Sequence, residues 1–118
     1  MSQYKIVCVK DKLKVLLETY PFLVELLYRQ QDNPYDCKQV ELLFQKFNNE
    51  KKQLLNILQL REDYTYYHGK HYIHNTLTNQ NIEIIFNEFD IYVSESNDKN
   101  IIFDIMKAFS SNFYMIKV

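Results

Sequence analysis

The chain has 118 residues, of which 47% are hydrophobic, and a formal net charge of −1. This length and composition predict a single domain, residues 1–118, that buries its own core. The near-neutral charge excludes a polybasic protein that attracts nucleic acid in bulk, so direct nucleic-acid binding is not expected. No apolar run is long enough to span a membrane and no secretory signal opens the chain, so a cytoplasmic protein without membrane contact is expected.

The sequence contains a single glycine, which argues against the common cofactor-binding folds. Loops that cradle phosphates need several glycines, because their backbones adopt positive φ and approach the ligand closely. The serine-hydrolase and zinc-protease motifs are also absent. We therefore predict a protein without a cofactor, a metal or an enzymatic activity. Lys, Asn, Ile, Tyr and Phe, whose codons are AT-rich, supply 52 of the 118 residues, which is typical of a low-GC bacterium, its phage or a plasmid.

The first half of the chain predicts one strand followed by helices. Residues 3–9 alternate as a strand does. A helix is expected from residue 12, with Asp11 as its N-cap, to about residue 31. A second helical stretch covers 36–60, as one long helix or two short ones in line, beginning with capping-box spacing at Asp36 and ending in an apolar stripe over 54–60.

From residue 63 the chain becomes rich in aromatic and β-branched residues, which is typical of strands. A two-residue hairpin turn fits at His68-Gly69, because both residue types tolerate positive φ. Further elements are predicted as strands at 82–86, 89–93 and 113–118, and as a helix near 101–109 capped by Asn97 or Asp98. Together these elements predict an α+β fold, with N-terminal helices packed on an antiparallel β-meander and one late helix.

Three histidines form the pattern H-x-x-H-x-x-H at His68, His71 and His74. On a strand, His71 and His74 point to opposite faces because three is an odd step, so they do not converge on one ion. The turn at His68-Gly69 sets His71 opposite Tyr66 and His74 opposite Asp63. We therefore interpret them as ordinary hairpin histidines.

Two binding hypotheses follow from the cations and the tyrosines. Helices followed by a hairpin allow a small winged-helix-like DNA-binding regulator. In that alternative its phosphate contacts would be Lys51, Lys52, Arg61 and, on the wing, Lys70. The other interpretation of these cations is that they form a solvent-exposed helix face without a binding role. In another alternative, a structural or toxin–antitoxin protein uses the tyrosine-rich hairpin 64–73 as a sheet edge for its partner.

Acidic residues concentrate between residues 83 and 104, where six Asp and Glu face a single Lys. Carboxylates along a strand, loop and helix edge can imitate the phosphate spacing of nucleic acid and occupy a partner's basic groove. The same charges also suit a solvated edge strand followed by an acidic helix N-terminus. The residues alone favour the solvated edge over the imitation of nucleic acid.

The stretch 87–96, followed by a helix with Ile101 and Ala108-Phe109, resembles part of a small type II-A anti-CRISPR family of Listeria prophages. Shared features are an acidic turn, a Tyr-Val strand, a Ser-Glu-Ser loop and Ala-Phe late in the helix. The chain departs from the family at Phe89, where the family has glycine, and by a one-residue deletion after Val93. The first 60 residues have no counterpart.

This resemblance implies a non-enzymatic inhibitor from a phage or mobile element. Its partner would be a bacterial nucleic-acid-processing protein, most concretely a type II CRISPR effector nuclease, bound through a DNA-mimicking acidic edge. Glu88 and Asp90 match the family's acidic turn, and Glu95 and Asp98 match its acidic loop. Tyr92 would add aromatic contact area to these partner-binding residues.

Overall fold

A computed structural model describes residues 2–19, 44–96 and 99–117. These ranges contain six strands and three helices. In chain order they are β1 (Ser2–Cys8), α1 (Asp11–Thr19), α2 (Asn48–Gln59), β2 (Tyr64–Tyr67), β3 (Lys70–Asn75), β4 (Gln80–Phe86), β5 (Asp90–Glu95), α3 (Ile101–Phe109) and β6 (Phe113–Lys117). No helix in the described ranges has the length and apolar character needed to cross a membrane.

All six strands form one sheet in the order β2-β3-β4-β5-β1-β6, and each neighbouring pair is antiparallel. The predicted α+β class and the meander from β2 to β5 are confirmed. The chain opens with β1, as the pattern over 3–9 predicts, so the description of N-terminal helices packed on the meander is not shown. This strand inserts between β5 and β6, so the first and last strands of the chain lie side by side.

The main core lies on the face of the sheet that packs against α2 and α3. Leu54 and Leu58 of α2 and Ile102 and Met106 of α3 reach it, each pair being four residues apart on one helix face. A smaller cluster around Val7 covers part of the opposite face. β1 is therefore buried on both of its faces from Ile6 to Cys8, whereas Gln3 is exposed and Lys5 is half-buried.

The helix predicted over 36–60 is shorter in the structure. α2 begins at Asn48. Before it, Phe44 forms an isolated β-bridge with Val9, which follows β1, and Phe47 lies in the core. An extended pairing at Phe44 is incompatible with a helix running through it. The predicted start of this helix at Asp36 and the end of the preceding helix near residue 31 lie outside the described residues.

The hairpin between β2 and β3 is the one that the sequence predicts. His68 and Gly69 form its turn with φ of 50° and 77°, the left-handed pair of a type I′ turn. Tyr66 pairs with His71, and the His74 amide donates to the Asp63 carbonyl at 3.1 Å. Both predicted cross-strand positions are confirmed.

Candidate functional site

The acidic residues expected to form an exposed edge do not lie at an edge of the sheet. Their strand, β5, lies between β4 and β1. Asp90 is 5% exposed and Glu95 is fully buried, so neither carboxylate is available to a partner in this fold. Tyr92 is half-buried and Glu88 is exposed, whereas Asp98 lies outside the described residues. The prediction of an exposed acidic edge is therefore wrong for Asp90 and Glu95, because β1 pairs with β5 and makes it an interior strand.

Glu95 instead fastens the start of α3 to the sheet. Its Oε1 accepts the Ile101 amide at 2.9 Å, and its Oε2 accepts the Tyr4 hydroxyl at 3.3 Å. The Tyr4 hydroxyl also accepts the Phe103 amide at 3.3 Å. A carboxylate at this position satisfies helix N–H groups that have no intrahelical partner. Glu95 therefore caps the start of α3. Asn97 and Asp98, to which the sequence assigns this role, lie outside the described residues.

Burial raises the pKa of Glu95 above its ordinary value of 4.5, although the hydrogen bonds it accepts oppose this shift. The folded state then holds the proton more tightly than the unfolded chain. The group's contribution to stability is present in full below the unfolded pKa and is lost as the pH rises through the folded pKa.

We expect the free energy of unfolding of the wild type, relative to that of Glu95→Gln, to decrease between about pH 4 and pH 8. Urea unfolding of both proteins across this range measures the difference, in which the other titrating groups largely cancel. A difference that increases with pH would contradict the raised pKa of Glu95.

The turn between β4 and β5 is held by a buried lysine. The Nζ atom of Lys51 donates to the main-chain carbonyls of Asn87 and Glu88 and lies 4.6 Å from the Phe47 ring centroid. Burial lowers the pKa of Lys51, and the nearby Asp90 carboxylate opposes this shift. Asp90 in turn accepts the side-chain amide of Asn87 at 2.7 Å. Lys51 therefore connects α2 to the β4–β5 turn, which is the acidic turn of the sequence.

The cations of the winged-helix alternative are also engaged within the fold, apart from the exposed Lys52. Lys51 donates to the β4–β5 turn, as described above. Arg61 makes two hydrogen bonds, of 2.8 and 2.9 Å, to Asp63, and these bonds lower the pKa of Asp63 to about 2. Lys70 lies 3.0 Å from Glu83. The hairpin of that alternative, β2–β3, belongs to the six-stranded sheet and is not a separate wing.

The histidines of the hairpin diverge, as their spacing predicts. His71 is buried among the rings of Tyr64, Tyr66 and Phe86, and its Nδ1 is 2.6 Å from the Tyr64 hydroxyl. Burial lowers the pKa of His71, which favours the neutral ring. His74 is exposed on the other face. Within the described ranges, no three His, Cys, Asp or Glu side chains are grouped as metal ligands would be.

An open cavity of about 540 Å³ lies between the α2–β2 loop and the β3–β4 turn. Its polar lining is internally bonded, since Asp63 accepts both Arg61 and the Asn75 side-chain amide, the latter at 3.1 Å. A network that already satisfies its members offers few groups to a ligand. We interpret this cavity as a structural feature of the loop.

Exposed hydrophobic side chains concentrate at the end of α2 and in β2. Ile57, Leu60, Tyr66 and Tyr67 are 38%, 86%, 60% and 66% exposed, and we call these four residues the 57–67 patch. The remaining large exposed hydrophobic residue of the described ranges is Leu77, in the β3–β4 turn. Four of five such residues therefore fall within eleven consecutive positions. Tyr66 pairs with the buried His71 on the face of the sheet that α2 covers, whereas Tyr67, the next residue of the strand, points to the opposite face.

The sequence identified the tyrosines of this patch but not its leucine and isoleucine. Ile57 and Leu60 were assigned to the apolar stripe of the helix together with its core positions. Leu54, Ile57 and Leu58 have the i, i+3, i+4 spacing of one apolar stripe, so spacing alone does not reveal the exposure of Ile57. Leu60 follows the end of α2.

β2, which carries the tyrosines, is also an edge strand of the described sheet. The other edge, β6, ends the described chain.

The chain matches no known protein-family model and none of the curated proteins. The resemblance of residues 87–109 to an anti-CRISPR family therefore stays a prediction. A functional proposal for this chain depends on its own surfaces.

Proposed function

We propose that this protein is a non-enzymatic inhibitor that binds a bacterial nucleic-acid-processing protein, and that the 57–67 patch is its contact surface. The observation that carries the proposal is the concentration of exposed hydrophobic side chains in this patch. Contiguous exposed apolar surface is characteristic of interaction sites, and these residues lie at the end of α2 and on both faces of the edge strand β2.

The composition of the patch favours a protein as the partner. Tyrosine is enriched at protein interfaces because its ring buries apolar area while its hydroxyl retains a hydrogen bond. The charges beside the patch compensate each other, as in the Arg61–Asp63 pair. A phosphate backbone requires an excess of cations, which this surface lacks.

The partner class comes from the resemblance of residues 87–109, and the type II CRISPR effector nuclease is its most concrete member. The acidic contact of that hypothesis now depends on Glu88, on Asp98 outside the described residues, and on the half-buried Tyr92. Glu88 lies 2.9 Å from Lys46, so even this carboxylate is partly compensated within the chain. The patch is therefore the stronger candidate for the main contact.

We expect the double substitution Tyr66→Ser and Tyr67→Ser to weaken partner binding at least about tenfold, because aromatic anchors carry much of the energy of an interface. The experiment is a tagged pull-down from a low-GC Gram-positive lysate with an active CRISPR system, with and without nuclease. Binding of the identified partner is then measured with purified proteins.

Leu77→Ser provides a control, since it removes a hydrophobic side chain outside the patch that is even more exposed than the two tyrosines. Unchanged affinity of the tyrosine double variant would refute the patch as the contact. Paired substitution of Glu88→Gln and Asp98→Asn tests the acidic contact separately. Recovery of DNA that disappears with nuclease, with a steep salt dependence, would favour the winged-helix alternative instead.

A further inference from the structure

The backbone of β2 directs the N–H and C=O groups of Tyr66 outward from the edge of the sheet. In a two-residue type I′ hairpin, the residues that flank the turn exchange both backbone hydrogen bonds, and the bonded pairs then alternate along the strands. Tyr67 and Thr65 therefore bond to β3, as does Asp63, whose carbonyl accepts the His74 amide. The N–H and C=O groups of Tyr66 consequently point away from the sheet.

This edge carries few of the features that keep strand edges apart. Natural proteins protect edges with lysine, proline, bulges or inward charges. β2 reads Tyr-Thr-Tyr-Tyr, without a charge or a proline, and it pairs with β3 in continuous register. Its four-residue length is the one protection, and this length limits the strength of any pairing.

The charges at the two ends of β2 are opposite. Arg61, Glu62 and Asp63 precede the strand and have a net charge of −1, since Arg61 pairs with Asp63. His68 and Lys70 follow the strand, and Lys70 pairs with Glu83. An antiparallel neighbour with the same sequence sets the acidic end of each strand against the end that carries histidine and lysine. A parallel copy would set like ends together.

We propose that a second copy of this chain pairs with β2 in antiparallel orientation about a two-fold axis at Tyr66. In this register Tyr66 of each copy donates its N–H to the C=O of the other, which satisfies both outward groups. The two Tyr66 rings meet on one face, and Thr65 lies opposite the Tyr67 of the second copy. Such aromatic cross-strand neighbours stabilise sheets, and the interface is isologous.

Pairing at β2 covers part of the 57–67 patch, so self-association and partner binding exclude each other. This regulatory consequence rests on the proposed function, whereas the pairing itself does not. A four-residue strand gives a weak, reversible dimer. Dilution then releases the monomer, which is the form that binds the partner.

Sedimentation equilibrium of the full chain from micromolar to millimolar concentration tests the pairing. Tyr66→Lys adds a charge at the edge and is expected to weaken dimerisation at least about tenfold, because like charges then lie opposite each other. Thr78→Lys adds the same charge in the exposed β3–β4 turn and is expected to leave the dimer unchanged. Circular dichroism confirms that both variants are folded.

Amide exchange measured by NMR gives a second readout that needs no substitution. The Tyr66 amide is expected to exchange fast in dilute protein and slowly at high concentration, while the Thr65 and Tyr67 amides are protected throughout. A chain that is monomeric at millimolar concentration, or a dimer that Tyr66→Lys leaves intact, would overturn the pairing. Partner capture that is lost in Tyr66→Ser and Tyr67→Ser while the wild type is monomeric would leave the proposed function standing without it.

Discussion

Replacement of Glu95 by alanine is expected to lower the free energy of unfolding by about 3 kcal/mol, a large fraction of the stability of a small domain. The substitution leaves the Ile101 amide and the Tyr4 hydroxyl without their acceptor in a buried site. Each buried group that loses its partner costs about 1–3 kcal/mol, and the vacated volume adds to the loss. Urea denaturation of the purified variant measures the effect.

Glu88→Ala is the matched control, because the Glu88 side chain is 66% exposed and belongs to the same acidic segment. Its expected effect on stability is within about 0.5 kcal/mol. Glu95→Gln keeps one oxygen acceptor and is expected to fall between the two. Equal stability of Glu95→Ala and Glu88→Ala would refute the structural role of Glu95 and restore it as a candidate for partner contact.

Lys51→Ala is expected to destabilise the protein by about 2 kcal/mol, since the carbonyls of Asn87 and Glu88 then lose a charged donor. The neighbouring Lys52→Ala is the control, because Lys52 is exposed and its expected effect on stability is within about 0.5 kcal/mol. Thermal and urea unfolding of both variants make the comparison.

The same pair of variants also tests DNA binding by α2. A phosphate-binding role predicts that both lysines contribute similarly to duplex affinity, with a steep dependence on salt. The structure predicts a stability loss in Lys51→Ala alone. Two equally stable variants that both lose DNA affinity would contradict the buried position of Lys51.

The sequence predicts local structure here better than it predicts which strands lie next to each other in the sheet. Alternation along β1, the turn at His68-Gly69 and the pairing of Tyr66 with His71 depend on residues close in sequence, and all three are confirmed. The insertion of β1 beside β5 pairs residues about 90 positions apart, such as Tyr4 with Val93. No local pattern contains that pairing.

The error over the acidic edge follows from this missing pairing. A carboxylate on a strand is at an edge or in the interior according to which strand lies next to it. Glu95 lies between two polar residues in sequence, Ser94 and Ser96, and polar neighbours favour exposure. Its burial depends on Tyr4 and on the start of α3, neither of which adjoins it in the chain.

The 57–67 patch was half predictable for a related reason. The tyrosines of a polar hairpin are recognisable as surface residues, whereas Ile57 and Leu60 continue an apolar run. Their exposure follows from the rotation of α2, which the packing of Leu54 and Leu58 sets. The end of the helix identifies Leu60, whereas helical spacing places Ile57 in the same stripe as Leu54 and Leu58.

Site-specific photo-crosslinking tests the central claim, that the 57–67 patch is the contact surface, most directly. A photoreactive phenylalanine analogue is placed at Tyr67, at Glu88 or at Leu77, and each protein is irradiated in the Gram-positive lysate. Our account predicts that one nucleic-acid-processing protein is crosslinked from position 67 and not from position 77. Crosslinking of that protein from position 88 or 77, with none from position 67, would contradict it.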